Sequence, residues 1–101
     1  MVVYTFKHDV HSWEEDVTES FVEVFIDKES AQNYFEIKKE LAITEFLDYV
    51  DCANLEEYVQ NYEGDYDDEY TVEDLPYFYI WLDEYGYDRL VVQKKTVMSF
   101  E

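Results

Sequence analysis

Two short stretches near the start of the chain combine β-branched and aromatic residues with a period of two. One runs from Val2 to Lys7. The other is VTESFVEVFI from Val17 to Ile26, in which Phe21 and Glu23 alternate against Val22 and Val24. Both read as strands. The segment between them, HDVHSWEED, is polar and has no tight two-residue turn, so it predicts a hairpin with a long acidic tip carrying Trp13.

After Ile26 the period changes to three and four. Ala31, Tyr34, Phe35, Leu41, Ala42, Phe46, Leu47 and Val50 form one stripe interrupted only by Lys38, and Asp27 is placed to cap the helix with Ser30 in its first turn. The pattern predicts a long helix from about Lys28 to Val50, lying on the sheet. Asn54 and Glu57 have the offset of a capping box before Leu55, Tyr58, Val59 and Tyr62, which predicts a second, shorter helix. From Glu63 to Asp74 the sequence EGDYDDEYTVED holds seven acidic residues in twelve and reads as a loop or lip.

Tyr77 to Leu82 and Leu90 to Met98 are strand-like around a turn-like DEYGYD, giving a second hairpin. The first arm alternatively reads as a short helix after Pro76, because a continuous apolar run has no decisive period. The resulting expectation is a single α+β domain over residues 1–101. It has an antiparallel sheet of about four strands from two hairpins, one long helix and one short helix, with the other sheet face partly wet.

Composition supports a folded chain. Hydrophobic residues make up 48% and aromatic residues 20% of the 101 positions, whereas disordered acidic chains are poor in aromatics. Charge is the outlying property: 26 Asp and Glu against 7 Lys and Arg give −19. Solubility of a small domain needs only about 2–8 charges, and this excess is self-repelling. It also disfavours direct binding to nucleic acid or an anionic membrane, which are polyanions themselves. A lone cysteine, Cys52, forms no internal disulfide and fits a reduced compartment, as a small packing residue. MVVYTFKHDV lacks the basic and apolar regions of a signal peptide, and no apolar run reaches a membrane span, so the expected location is the cytoplasm of a bacterial host cell.

Catalytic chemistry finds little support. His8, Asp9 and His11 are close in sequence, but no Cys pair or third His accompanies them, so they read as a solvated tip and no metal is expected. Asp65, Asp67 and Glu69 imitate the opening of a calcium loop, yet Tyr70 and Pro76 stand where that loop needs glycine and a bidentate glutamate. With two glycines there is no phosphate-cradling loop, and carboxylates around Cys52 oppose thiolate formation. Neither enzymatic activity nor a cofactor is expected.

A folded acidic surface can instead present carboxylates at regular intervals, as nucleic acid presents phosphates, and bind basic proteins through Lys and Arg with counterion release. Tyr62, Tyr66, Tyr70, Tyr77, Tyr79, Tyr85 and Tyr87 interleave with the carboxylates and offer faces for arginine stacking. The candidate partner-binding residues are Glu63, Asp65, Tyr66, Asp67, Asp68, Glu69, Tyr70, Glu73, Asp74, Asp83 and Glu84, with the Glu14 to Asp16 tip as an outlier.

In size, acidity, tyrosine content and lack of catalytic motifs, the chain resembles the small phage-encoded inhibitors of host defence. These include antirestriction and anti-CRISPR proteins, several of which mimic DNA. The resemblance implies a basic nucleic-acid-binding partner such as a Cas nuclease or a restriction nuclease, whose DNA channel would meet the acidic residues. Two other classes share these properties: an immunity or antitoxin protein that blocks a basic nuclease, and a non-enzymatic phage accessory or adaptor protein whose charge is incidental.

Overall fold

The computed structural model describes residues 1–97. Its elements, among those residues, are β1 (Val2–Ser12), β2 (Val17–Phe25), α1 (Lys28–Val50), α2 (Leu55–Asn61), β3 (Gly64–Tyr70), β4 (Pro76–Leu82) and β5 (Gly86–Thr96). The five strands form one antiparallel sheet in the order β2-β1-β5-β4-β3. The architecture is α+β, with one long and one short helix.

Local chemistry sets the helix ends. Asp27 takes an extended conformation and its Oδ1 accepts from the Ser30 N–H at 2.7 Å, satisfying one of the free donors of the first turn. Asp51 closes α1 in the left-handed conformation, φ 56°, which aspartate tolerates better than most residues. Asn54 caps α2 by accepting from Glu57 N–H at 2.9 Å, and the Glu57 carboxylate reaches back to Ala53 N–H at 3.2 Å.

α1 lays Ala31, Phe35, Ala42, Phe46 and Val50 onto the inner face of the sheet, where Phe6, Phe78, Ile80, Leu82, Leu90 and Val92 meet them. Spacings of three and four along α1 keep these side chains on one side, and alternation along the strands does the same for the sheet. Tyr58 of α2 closes one end of this core. It is fully buried, and its hydroxyl donates to the Trp81 carbonyl. Leu41, part of the expected stripe, is half exposed because α1 crosses β1, β4 and β5 and leaves most of β2 uncovered.

Two expectations are corrected. The sheet has five strands, not about four, and the extra one is β3, which occupies the acidic stretch expected to be a loop or lip. It forms because an edge strand needs a neighbour on one side only, and its outward carboxylates stay in water while Gly64 and Tyr66 turn inward against β4. The first hairpin is also tighter than expected. β1 runs on through His8, Asp9 and His11 to Ser12, so the tip is only Trp13 to Asp16. Of the two readings of Tyr77–Leu82, the strand is the one observed, as part of β4. The second hairpin arm is strand β5 through Thr96; Met98, in the expected range, lies outside the described residues.

Candidate partner-binding surface

The outer face of the sheet carries side chains in cross-strand rows, fixed by register. Asp65, Asp67 and Glu69 of β3 stand directly opposite Trp81, Tyr79 and Tyr77 of β4. The rows continue through β5, β1 and β2. One reads Trp81, Tyr87, His11, Thr18; the next reads Tyr79, Arg89, Asp9, Ser20; the third reads Tyr77, Val91, Lys7, Val22. Neighbouring strands lie about 4.8 Å apart and alternate residues along a strand about 6.7 Å apart. The face is therefore an edge of three evenly spaced carboxylates backed by three aromatic rings.

Hydrogen bonds and stacking cross-link this face. His11 stacks on Tyr87 with ring centroids 5.1 Å apart and meets Trp13 edge-on at 4.6 Å, while its Nδ1 pairs with Thr18 Oγ1 at 2.7 Å. Asp9 is buried beneath Arg89, accepting from Arg89 Nη2 at 2.7 Å and from Ser20 Oγ at 2.6 Å. Burial acts to raise the Asp9 carboxyl. The hydrogen bonds from Ser20 and Arg89, with the Lys7 and Arg89 charges, outweigh it and hold Asp9 below the ordinary range. Arg89, the one cation in the second row, is thereby neutralised internally. Burial pushes the Tyr77 and Tyr79 hydroxyls above the ordinary tyrosine value, so both stay neutral donors at physiological pH.

The remaining candidate residues divide between the two ends of β3. Glu63, Asp83 and Glu84 meet at one end, where Glu63 carbonyl accepts from Asp83 N–H at 3.0 Å and all three line a cleft of about 550 Å³ together with Asp51. The Glu14 to Asp16 tip belongs to the same end, because Trp13 N–H bonds Tyr85 carbonyl at 3.3 Å and its indole bonds Leu82 carbonyl. This acidic pole joins Asp51 and the hairpin tip to residues far away in sequence. Glu73 and Asp74 sit at the other end and are tied to the start of α1: Lys28 Nζ and Gln32 Nε2 donate to their carbonyls, each at 2.8 Å.

Other candidates turn away from the outer face. Asp68 points inward and pairs with Lys39 at 2.5 Å, Tyr66 packs near Phe78, and Tyr70 hydroxyl reaches Glu36 at 3.3 Å. Tyr62 donates to Val50 carbonyl at 2.9 Å, and Tyr85 stacks on Tyr49. Of the seven tyrosines interleaved with acids in the sequence, only Tyr77, Tyr79 and Tyr87 share the carboxylate-bearing face. Trp81, His11 and Trp13 join them. Strand alternation along β3 and β4 sets Tyr66 and Tyr70 on the opposite face from Tyr77 and Tyr79.

Other chemistry is scarce. His8 and His11 are both largely buried in β1 instead of lying at a solvated tip, and no group of three potential metal-ligating side chains converges among the described residues. Burial, followed by the Glu57 and Asp51 charges, pushes the Cys52 thiol up, away from thiolate. No helix among the described residues is long and apolar enough to cross a membrane. No family model, curated protein or solved structure matches the chain.

Proposed function

We propose that this protein is a non-catalytic inhibitor that occupies the basic nucleic-acid-binding surface of a partner, in the manner of a DNA mimic. A Cas nuclease or a restriction nuclease of a bacterial cell is the kind of partner it suits. The observation that carries this reading is the ladder of Asp65–Trp81, Asp67–Tyr79 and Glu69–Tyr77 pairs along the free edge of the sheet. A guanidinium can pair with each carboxylate while lying against the adjacent ring. Arginines and lysines that normally hold consecutive phosphates meet consecutive carboxylates here, on a scaffold already rigid before binding. The acidic pole at the end of the ladder extends the negative field and steers encounter.

The test is capture by the immobilised protein from nuclease-treated lysates of bacteria carrying CRISPR and restriction systems, eluted in rising salt and challenged with duplex DNA. Release of a basic nucleic-acid enzyme by both salt and DNA is the expected result. A nuclease released by salt and untouched by DNA would replace mimicry with an immunity-type block away from the nucleic-acid channel. Absence of any salt-sensitive capture would sink the electrostatic reading.

A further inference from the structure

Because α1 leaves β2 uncovered, a cavity of about 410 Å³ opens between the helix and the β1–β2 hairpin. His8 and Asp88 stand at its inner wall. The Asp88 side chain is only 6% exposed and makes no hydrogen bond among the described residues; His8 Nε2 lies 3.5 Å from its Oδ2. That nitrogen is itself buried without a hydrogen-bond partner among the described residues. A buried carboxylate and a buried imidazole nitrogen left in this state cost stability, and Asp88 and His8 are both lining residues of the cavity.

The cavity's other walls narrow the occupant. Phe21 and Leu41, 52% and 54% exposed, flank it with apolar surface, and Glu23 and Glu45 add two more carboxylates. Lys38 is the only Lys or Arg lining it, and its Nζ sits over the Tyr34 ring at 5.3 Å. Three carboxylates against one ammonium ask for a cation with an apolar stem. A divalent metal does not suit, since no three ligating side chains converge among the described residues. A lysine ammonium brings a compact charge without a planar fork. A guanidinium carries several N–H donors in a fixed plane, so two of them can pair with the Asp88 carboxylate beside His8, while its methylenes lie between Phe21 and Leu41.

We infer that this cavity is the seat of a single arginine side chain from the protein partner, an anchor separate from the β3 ladder. The inference rests on the reading of a basic partner and adds a defined contact to it.

The test uses the full chain and two probes, N-acetyl-arginine amide and N-acetyl-lysine amide, followed by NMR of the His8 imidazole and the Phe21 ring. Saturable shifts with the arginine probe are expected, with affinity about tenfold above the lysine probe. Asp88→Asn should weaken the arginine probe about tenfold while leaving the melting temperature unchanged or higher, as it removes a buried charge. Phe21→Ala and Leu41→Ala, at half-exposed rim positions, should weaken it without unfolding the chain. Equal binding of both probes, shifts confined to β3, or indifference to all three substitutions would overturn the arginine seat. Those outcomes leave salt- and DNA-sensitive capture of a nuclease intact, so failure of the seat and failure of the proposed function are distinguishable.

Discussion

The indole N–H of Trp13 donates to the carbonyl of Leu82 at 3.0 Å, tying the tip of the first hairpin to the turn between β4 and β5 across 69 residues of sequence. This bond gathers Glu14 to Asp16 beside Asp83 and Glu84, against their mutual repulsion. Trp13→Phe keeps ring packing against His11 and Tyr87 and loses only the bond. It should cost about 0.5–1.5 kcal/mol by urea denaturation and speed amide exchange at both turns.

Position on β3 separates acidic residues that face the outer side of the sheet from those that turn inward. Asp65→Lys, Asp67→Lys and Glu69→Lys together should lower partner affinity more than tenfold and flatten its salt dependence. Circular dichroism should be unchanged, since lysine is well tolerated on an edge. Asp68→Asn, next in sequence but turned toward Lys39, should leave affinity alone and cost at most about 1 kcal/mol. Equal effects from Asp68→Asn and the triple reversal would remove the outer face as the interface.

Acid should act on the fold through Asp9. Its folded carboxyl titrates below the ordinary aspartate value, which is about 3.9. The Arg89 and Ser20 bonds therefore stabilise the protein fully above that value, and the gain is lost as pH falls through the lower folded value. Asp9→Asn should be less stable than the native chain by about 1–3 kcal/mol at pH 7. The two urea midpoints should converge as pH falls below the ordinary aspartate value. A gap that persists into strong acid would show that Asp9 contributes through packing alone.

Gly64 and Tyr58 should couple. A Cβ added at Gly64 would approach the Tyr58 hydroxyl most closely and lie 2.6 Å from the Trp81 carbonyl oxygen. Gly64→Ala should thus cost about 1–3 kcal/mol from overpacking. Tyr58→Phe removes the hydroxyl and its bond to Trp81, at about 1 kcal/mol. In a double-mutant cycle, Gly64→Ala should cost less in the Tyr58→Phe background. Additive losses would mean that the Trp81 carbonyl alone sets the constraint.

The sequence made α1 readable because a cap and a 3.6-residue stripe agree over six turns, and the bounds Lys28–Val50 follow. It made β1, β2, β4 and β5 readable through β-branched and aromatic runs. β3 was hidden by its own composition: GDYDDEY has low strand propensity and owes its existence to β4, a partner no local pattern reveals. That hidden strand sorted the site, setting Asp65, Asp67 and Glu69 outward and Asp68 and Tyr70 inward. The Asp9–Arg89 pair and the His8–Asp88 contact span 80 residues each and depend on register alone, so composition gave no hint of them.

No strand among the described residues pairs with the outer side of β2, and this nine-residue edge shows water Phe21, Val22 and Val24. Such an edge invites another chain to add to it, and only Glu19, Glu23 and the collective repulsion of −19 charges oppose that growth. The acidity thus also has a colloidal role, keeping copies apart in crowded solution. Near the isoelectric point of about 4.1 that barrier vanishes, and sheets can zip edge to edge into fibrils seeded by β2.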